Sequence, residues 1–207
     1  MILDNNIKEY MKDWLYHYID DYCIDRRDLR DENITQPYSY MFYMRKGLFN
    51  TTFLNYVGYL FWDKYSKIYK ETPFQIAGLE TGATPLIIGI LMTSSAFDIT
   101  GLNCFSIRKE RKEYGLKQRF EGIVHEDLPV LLVDDLCNEG EAIILAKHYI
   151  EEANLKLYKN AFTVVSNDDF KEFEVDSIHK KDDFYCSFQN YQLNKSYEEN
   201  LKKQLTL

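Results

Sequence analysis

Two adjacent carboxylates, Asp134 and Asp135, end the apolar run of residues 130–133, and a short turn through Gly140 separates them from Ala142, Ile143, Ile144, Leu145 and Ala146. A β-branched and leucine run of that length predicts a strand buried on both faces. Such a strand delivers its last side chains to the carboxyl edge of a parallel sheet, where open α/β folds bind ligands. Two carboxylates at that edge suit the hydroxyls of a ribose, directly or through Mg²⁺ and its waters. The turn behind them, Asn138, Glu139, Gly140, Glu141 and Ala142, offers backbone N–H groups and the positive end of a helix to an anion such as a phosphate. An ordinary αβ unit whose acid pair caps its helix would use the same residue types.

Two further stretches carry chemistry of the same kind. Glu80, Thr81, Gly82, Ala83, Thr84 and Pro85 join a short strand at residues 74–79 to an apolar helix through Met92. A small-residue turn there lets backbone amides approach a diphosphate, and it also serves as a plain αβ connection. Residues 108–122, RKERKEYGLKQRFEG, hold few apolar side chains and predict an exposed loop. Arginines and lysines on such a loop suit a highly charged leaving group, and a solvated charge run has the same composition.

The remaining elements must position these three stretches. Ile7, Tyr10, Met11, Trp14, Leu15 and Tyr18 recur at helical spacing and predict an amphipathic helix over residues 5–20. Residues 22–33 are dense in charge and predict a turn, and residues 35–50 mix aromatics with Arg45, Lys46 and Gly47. Phe53, Leu54, Val57, Leu60, Phe61, Tyr65 and Ile68 predict a long helix that ends before Pro73. Further strands are expected at residues 103–107 and 157–166, and a short helix at 197–205. Strands alternating with helices give an α/β fold with a parallel sheet.

The 207 residues suit one domain, and a formal charge of −8 argues against a nucleic-acid partner, which needs a basic face. Cys23, Cys104, Cys137 and Cys186 lie far apart without metal-ligand spacing, as expected of reduced thiols in a cytoplasmic protein. The longest apolar run, residues 85–92, is too short to span a bilayer, and no apolar leader follows a basic start, so no membrane partner is expected.

The segment VLLVDDLCNEGEAI resembles the diphosphate-sugar motif of the type I phosphoribosyltransferases. RKERKEYG, from Arg108 to Gly115, resembles the catalytic loop of the orotate phosphoribosyltransferases, and it precedes the acid pair in the order found there. GLETGATP resembles the family's pyrophosphate loop, and residues 40–49 resemble its N-terminal hood. The resemblance implies a parallel sheet flanked by helices, with a small hood from about residues 30–50 and 170–190. It implies Mg²⁺-dependent transfer of phosphoribosyl from phosphoribosyl pyrophosphate (PRPP) to a nucleobase, in a homodimer whose loops cross between subunits.

By the same resemblance, Lys112 stabilises the departing pyrophosphate, and Arg108, Lys109 and Tyr114 assist it. Glu80, Thr81 and Gly82 hold the diphosphate. Asp134 and Asp135 hold the ribose and its Mg²⁺. Asn138, Glu139, Gly140, Glu141 and Ala142 surround the 5′-phosphate.

The sequence departs from the family in three places. The phosphate loop lacks hydroxyl residues, the Ser-Gly and Lys that precede the hood strand are missing from residues 34–39, and Asn167 follows the strand where orotate enzymes carry an Arg. Glu139 or Glu141 within about 6 Å of the phosphate would cost on the order of 2–3 kcal/mol. These departures suit a second reading, a protein of this fold that binds a nucleotide or partner and regulates without catalysis.

Overall fold

The computed structural model describes residues 2–25, 41–110, 118–167 and 170–184. Helix α1, Asn5–Tyr18, starts at Asp4, whose side chain accepts from the Asn6 N–H, and continues as a π-helical turn to Cys23. Its buried face is Met11, Leu15 and Ile19, four residues apart, while Ile7 and Tyr10 are exposed. The inward stripe is therefore rotated from the expected one. Strand β1, Ile24–Asp25, pairs antiparallel with β2, Met41–Phe42, and the single turn α2, Arg45–Leu48, follows.

Helix α3, Thr51–Glu71, is capped by Asn50, whose side chain accepts from the Phe53 N–H at 3.0 Å. It buries Phe53, Val57, Phe61, Trp62 and Tyr65, and the Trp62 indole donates to the Ile90 carbonyl at 2.7 Å. Then come β3, Gln75–Leu79, α4, Ala83–Thr93, β4, Cys104–Ile107, β5, Phe120–Gly122, and β6, Val130–Cys137. Helix α5, Glu141–Glu152, and strands β7, Asn160–Ser166, and β8, Glu174–Lys180, complete the order, before a 3-10 turn at Lys181–Phe184.

The six-stranded sheet runs β5-β4-β3-β6-β7-β8 and is parallel except for the β4–β5 pair. Its chain order reverses between β3 and β6, so the crevice at their carboxyl ends is the switch point where this architecture binds ligands. Period-two alternation divides the core. Leu131 and Val133 pack under α1, α3 and α4, while Val130 and Leu132 face the side covered by α5.

Three elements differ from the expected ones. Strand β6 continues beyond residue 133, because Asp134, Leu136 and Cys137 keep their parallel ladder with β7. The end of the basic stretch is not loop but β5, paired with β4. Glu174–Lys180, within the stretch assigned to the hood, is the edge strand of the main sheet, paired with β7 over its whole length. The hood residues 30–40 and 185–190 and the expected terminal helix at 197–205 lie outside the described residues.

Candidate active site

Two connections and the end of β6 meet at the switch point. The β3–α4 turn places Gly82 so close to the acid pair that a Cβ there would sit 3.2 Å from Asp135 Oδ1 and 3.5 Å from Asp134 Oδ1. The peptide between Glu80 and Thr81 is cis. The Arg45 guanidinium, carried in by α2, donates to Thr81 Oγ1 at 3.1 Å. Behind the turn, Thr84 and Ser106 hydroxyls join at 2.9 Å and tie α4 to β4.

Asp134 is buried and Asp135 half-buried, both within β6, and Asp134 Oδ1 accepts from the Asp135 N–H at 3.0 Å. Burial, followed by the neighbouring Asp135 charge, pushes the Asp134 carboxyl well above the usual range. Burial also raises Asp135. The charge of Lys109 opposes the first shift and that of Arg45 the second.

The second connection, β6–α5, turns on Gly140. Its φ is +75°, and a Cβ would come within 2.0 Å of the Phe170 ring, so both the backbone and the packing require glycine. Glu139 and Glu141 flank it and are exposed. Asn138 points its Oδ1 at Lys181 Nζ, 2.8 Å away.

Of the residues expected at the site, Glu80, Thr81, Gly82, Asn138, Glu139 and Gly140 lie on these two connections, Asp134 and Asp135 near the end of β6, and Glu141 and Ala142 in the first turn of α5. Arg108 stands at the β4 end, paired with Glu121 and 3.9 Å from Glu80 Oε1, and its Nε has no hydrogen-bond partner among the described residues. Lys112 and Tyr114 lie outside the described residues. Arg45, expected in the hood by resemblance, instead bonds the diphosphate turn, and Lys180 and Lys181 were expected in no site role. Their signal is cationic side chains beside element ends, which only the topology brings near the crevice.

Within 95 aligned residues, 46% of this chain and 48% of the relative, the orotate phosphoribosyltransferase of Pyrococcus furiosus is 30% identical. That of Methanocaldococcus jannaschii is 26% identical over 127 residues, 61% of this chain and 66% of the relative. The chain thus spans between about half and two thirds of these relatives' lengths. In sequence the chain is similar to orotate phosphoribosyltransferases, in keeping with the type I phosphoribosyltransferase motifs it carries.

Solved structures agree on the fold. Orotate phosphoribosyltransferase from Mycobacterium tuberculosis superposes with a TM-score of 0.69 at 16% identity, covering 84% of this chain and 98% of that one. The same enzyme in complex with PRPP gives 0.61 at 14% identity, covering 88% and 93%. No family model matches the chain.

Proposed function

We propose that this protein transfers phosphoribosyl from PRPP to a ring nitrogen of a nucleobase and releases pyrophosphate. One observation carries the reading: the β3–α4 turn, the acid pair and the Gly140 turn converge on one crevice at the switch point. Those are the parts needed for a diphosphate, a ribose and a 5′-phosphate, in that spatial order.

In this reading the amides around Thr81 and Gly82 bind the diphosphate, with Arg45 and Lys109 as the fixed cations beside it. Asp135, and Asp134 behind it, accept from the ribose hydroxyls and favour the positive charge that develops on the sugar as the C1′–O bond breaks. The base nitrogen forms the new bond to C1′, and the bond's electron pair leaves with pyrophosphate. Lys112, assigned through the family's loop motif, stabilises that leaving group.

A buried and a half-buried carboxylate side by side, each raised by burial, suit a hard cation with oxygen ligands, so the residues present fit Mg²⁺. Mg²⁺ when bound neutralises diphosphate charge.

Asn167 stands at the β7 edge in place of the Arg that binds orotate carboxylate in the resembling enzymes, which favours an acceptor base without that carboxylate. The test is to supply PRPP, Mg²⁺ and orotate or other bases singly, and to follow pyrophosphate release. Base-dependent release is the expected result. PRPP binding without release for any base would instead favour the regulatory reading.

A further inference from the structure

Strand β8 ends in Lys180, and Lys181 opens the 3-10 turn that follows it, beside the Gly140 turn. Lys180 lies opposite Ser166 in the parallel ladder and its Nζ donates to Ser166 Oγ at 3.0 Å. Ser166 in turn lies opposite Cys137, the last residue of β6. The Lys180 charge reaches the Cys137 thiol, which burial otherwise pushes up to about 11. Lys181 goes further and donates to Asn138 Oδ1, within the turn itself, at 2.8 Å.

Asp183 accepts from the Lys180 backbone N–H at 2.7 Å, and Asp182 and Asp183 are exposed. Glu139 and Glu141 are exposed as well, where water and salt screen them.

We infer that Lys180 and Lys181 are the cations of the 5′-phosphate subsite and stand in for the hydroxyl residues that the turn lacks. This rests on the PRPP reading above. Asn138 Oδ1 is a neutral acceptor, and a phosphate carrying nearly two negative charges is a stronger one, so Lys181 exchanges the amide for the phosphate when the ligand arrives. Lys180, held by Ser166, adds its field beneath the turn. The anion is thus met by the α5 amino end, the Gly140 amides and two ammonium groups.

Calorimetry with ribose 5-phosphate, PRPP and pyrophosphate, each at fixed salt and Mg²⁺, tests this on Lys181→Gln, Lys180→Gln and the double variant. Each single change should weaken ribose 5-phosphate and PRPP by about tenfold, the range of one charge-assisted hydrogen bond, and the double by at least about thirtyfold. Pyrophosphate affinity should move by less than about twofold, and Lys181→Arg should retain PRPP affinity within about threefold. If Lys180→Gln does not fold, the Lys181 variants decide. An unmodified protein that binds PRPP, with no loss in a folded double variant, overturns the inference alone. An unmodified protein that binds neither PRPP nor ribose 5-phosphate overturns the PRPP reading with it.

Discussion

Asp134 is placed by β6 where its charge is disfavoured, buried and beside Asp135. Its folded-state pKa lies above the unfolded value, so the folded protein holds the extra proton at intermediate pH. Stability therefore falls as pH rises from about 4 through the raised pKa, the reverse of a salt-bridged carboxylate. Asp134→Asn should raise the Tm near pH 8 by at least ~2 °C, with the gain fading toward pH 4, in melts across that range. Loss of the ligand site and gain of stability from one substitution would mark a residue kept for binding. Gly140 is the opposite case, a residue that only one side chain satisfies. With φ at +75° and Phe170 against it, Gly140→Ala should destabilise by about 1–3 kcal/mol in urea unfolding.

Elements carry these residues to the crevice, and some of them can be read without coordinates. The αβ units around β3 and β6 are legible because buried parallel strands and small-residue turns leave local signatures, as do the Asn50-capped helix α3 and the Gly140 turn. The inward face of α1 is legible only in part, since Met11, Trp14, Leu15 and Tyr18 pack on the core and Ile7 and Tyr10 do not. Aromatic Tyr10 scores as core by type, yet packs at the surface against Tyr56, while Met11, Leu15 and Ile19 go inside. Strand β8 is hidden for another reason: Glu174, Asp176, His179 and Lys180 break its apolar pattern because it lies at the sheet edge. Lys180 and Lys181 owe their place near the Gly140 turn to that pairing.

The stem of the β4–β5 connection is also a tertiary product. Arg119 donates to the carbonyls of Arg108 and Lys109 at 3.2 and 2.9 Å, stacks on Tyr149 of α5 at 3.8 Å, and the Tyr149 hydroxyl adds a bond to the Lys109 carbonyl at 3.2 Å. Arg119→Ala should therefore cost about 1–3 kcal/mol in urea unfolding. An unchanged midpoint would mean the stem is held by β5 alone.

At the scale of the whole molecule, one surface asks for a partner. Leu48, Phe49, Leu54, Ile88 and Met92 line a cavity of about 670 Å³ that reaches Thr81 in the diphosphate turn. Phe49 is 83% exposed and Met92 73%, an apolar face continuous with the crevice. The proposed homodimer, whose basic stretch would serve the neighbouring site, fits that face. Sedimentation at micromolar concentration should give a dimer, and Met92→Lys with Phe49→Lys should shift it to monomer. A monomeric unmodified protein would remove the shared-site assembly.

The same crevice joins every scale, because the acid pair, the two glycine turns and the order of the sheet have one ligand in common in the proposed reading. Among the described residues no helix is long and apolar enough to cross a membrane, and the formal charge of −8 disfavours nucleic acid. The most direct measurement is a calorimetric titration of PRPP with Mg²⁺ into the unmodified protein and into Asp134→Asn with Asp135→Asn. One saturable site per chain, weakened at least about tenfold in the double variant while its fold is retained, is the predicted result. No binding to the unmodified protein, or equal affinity in the two, would contradict it.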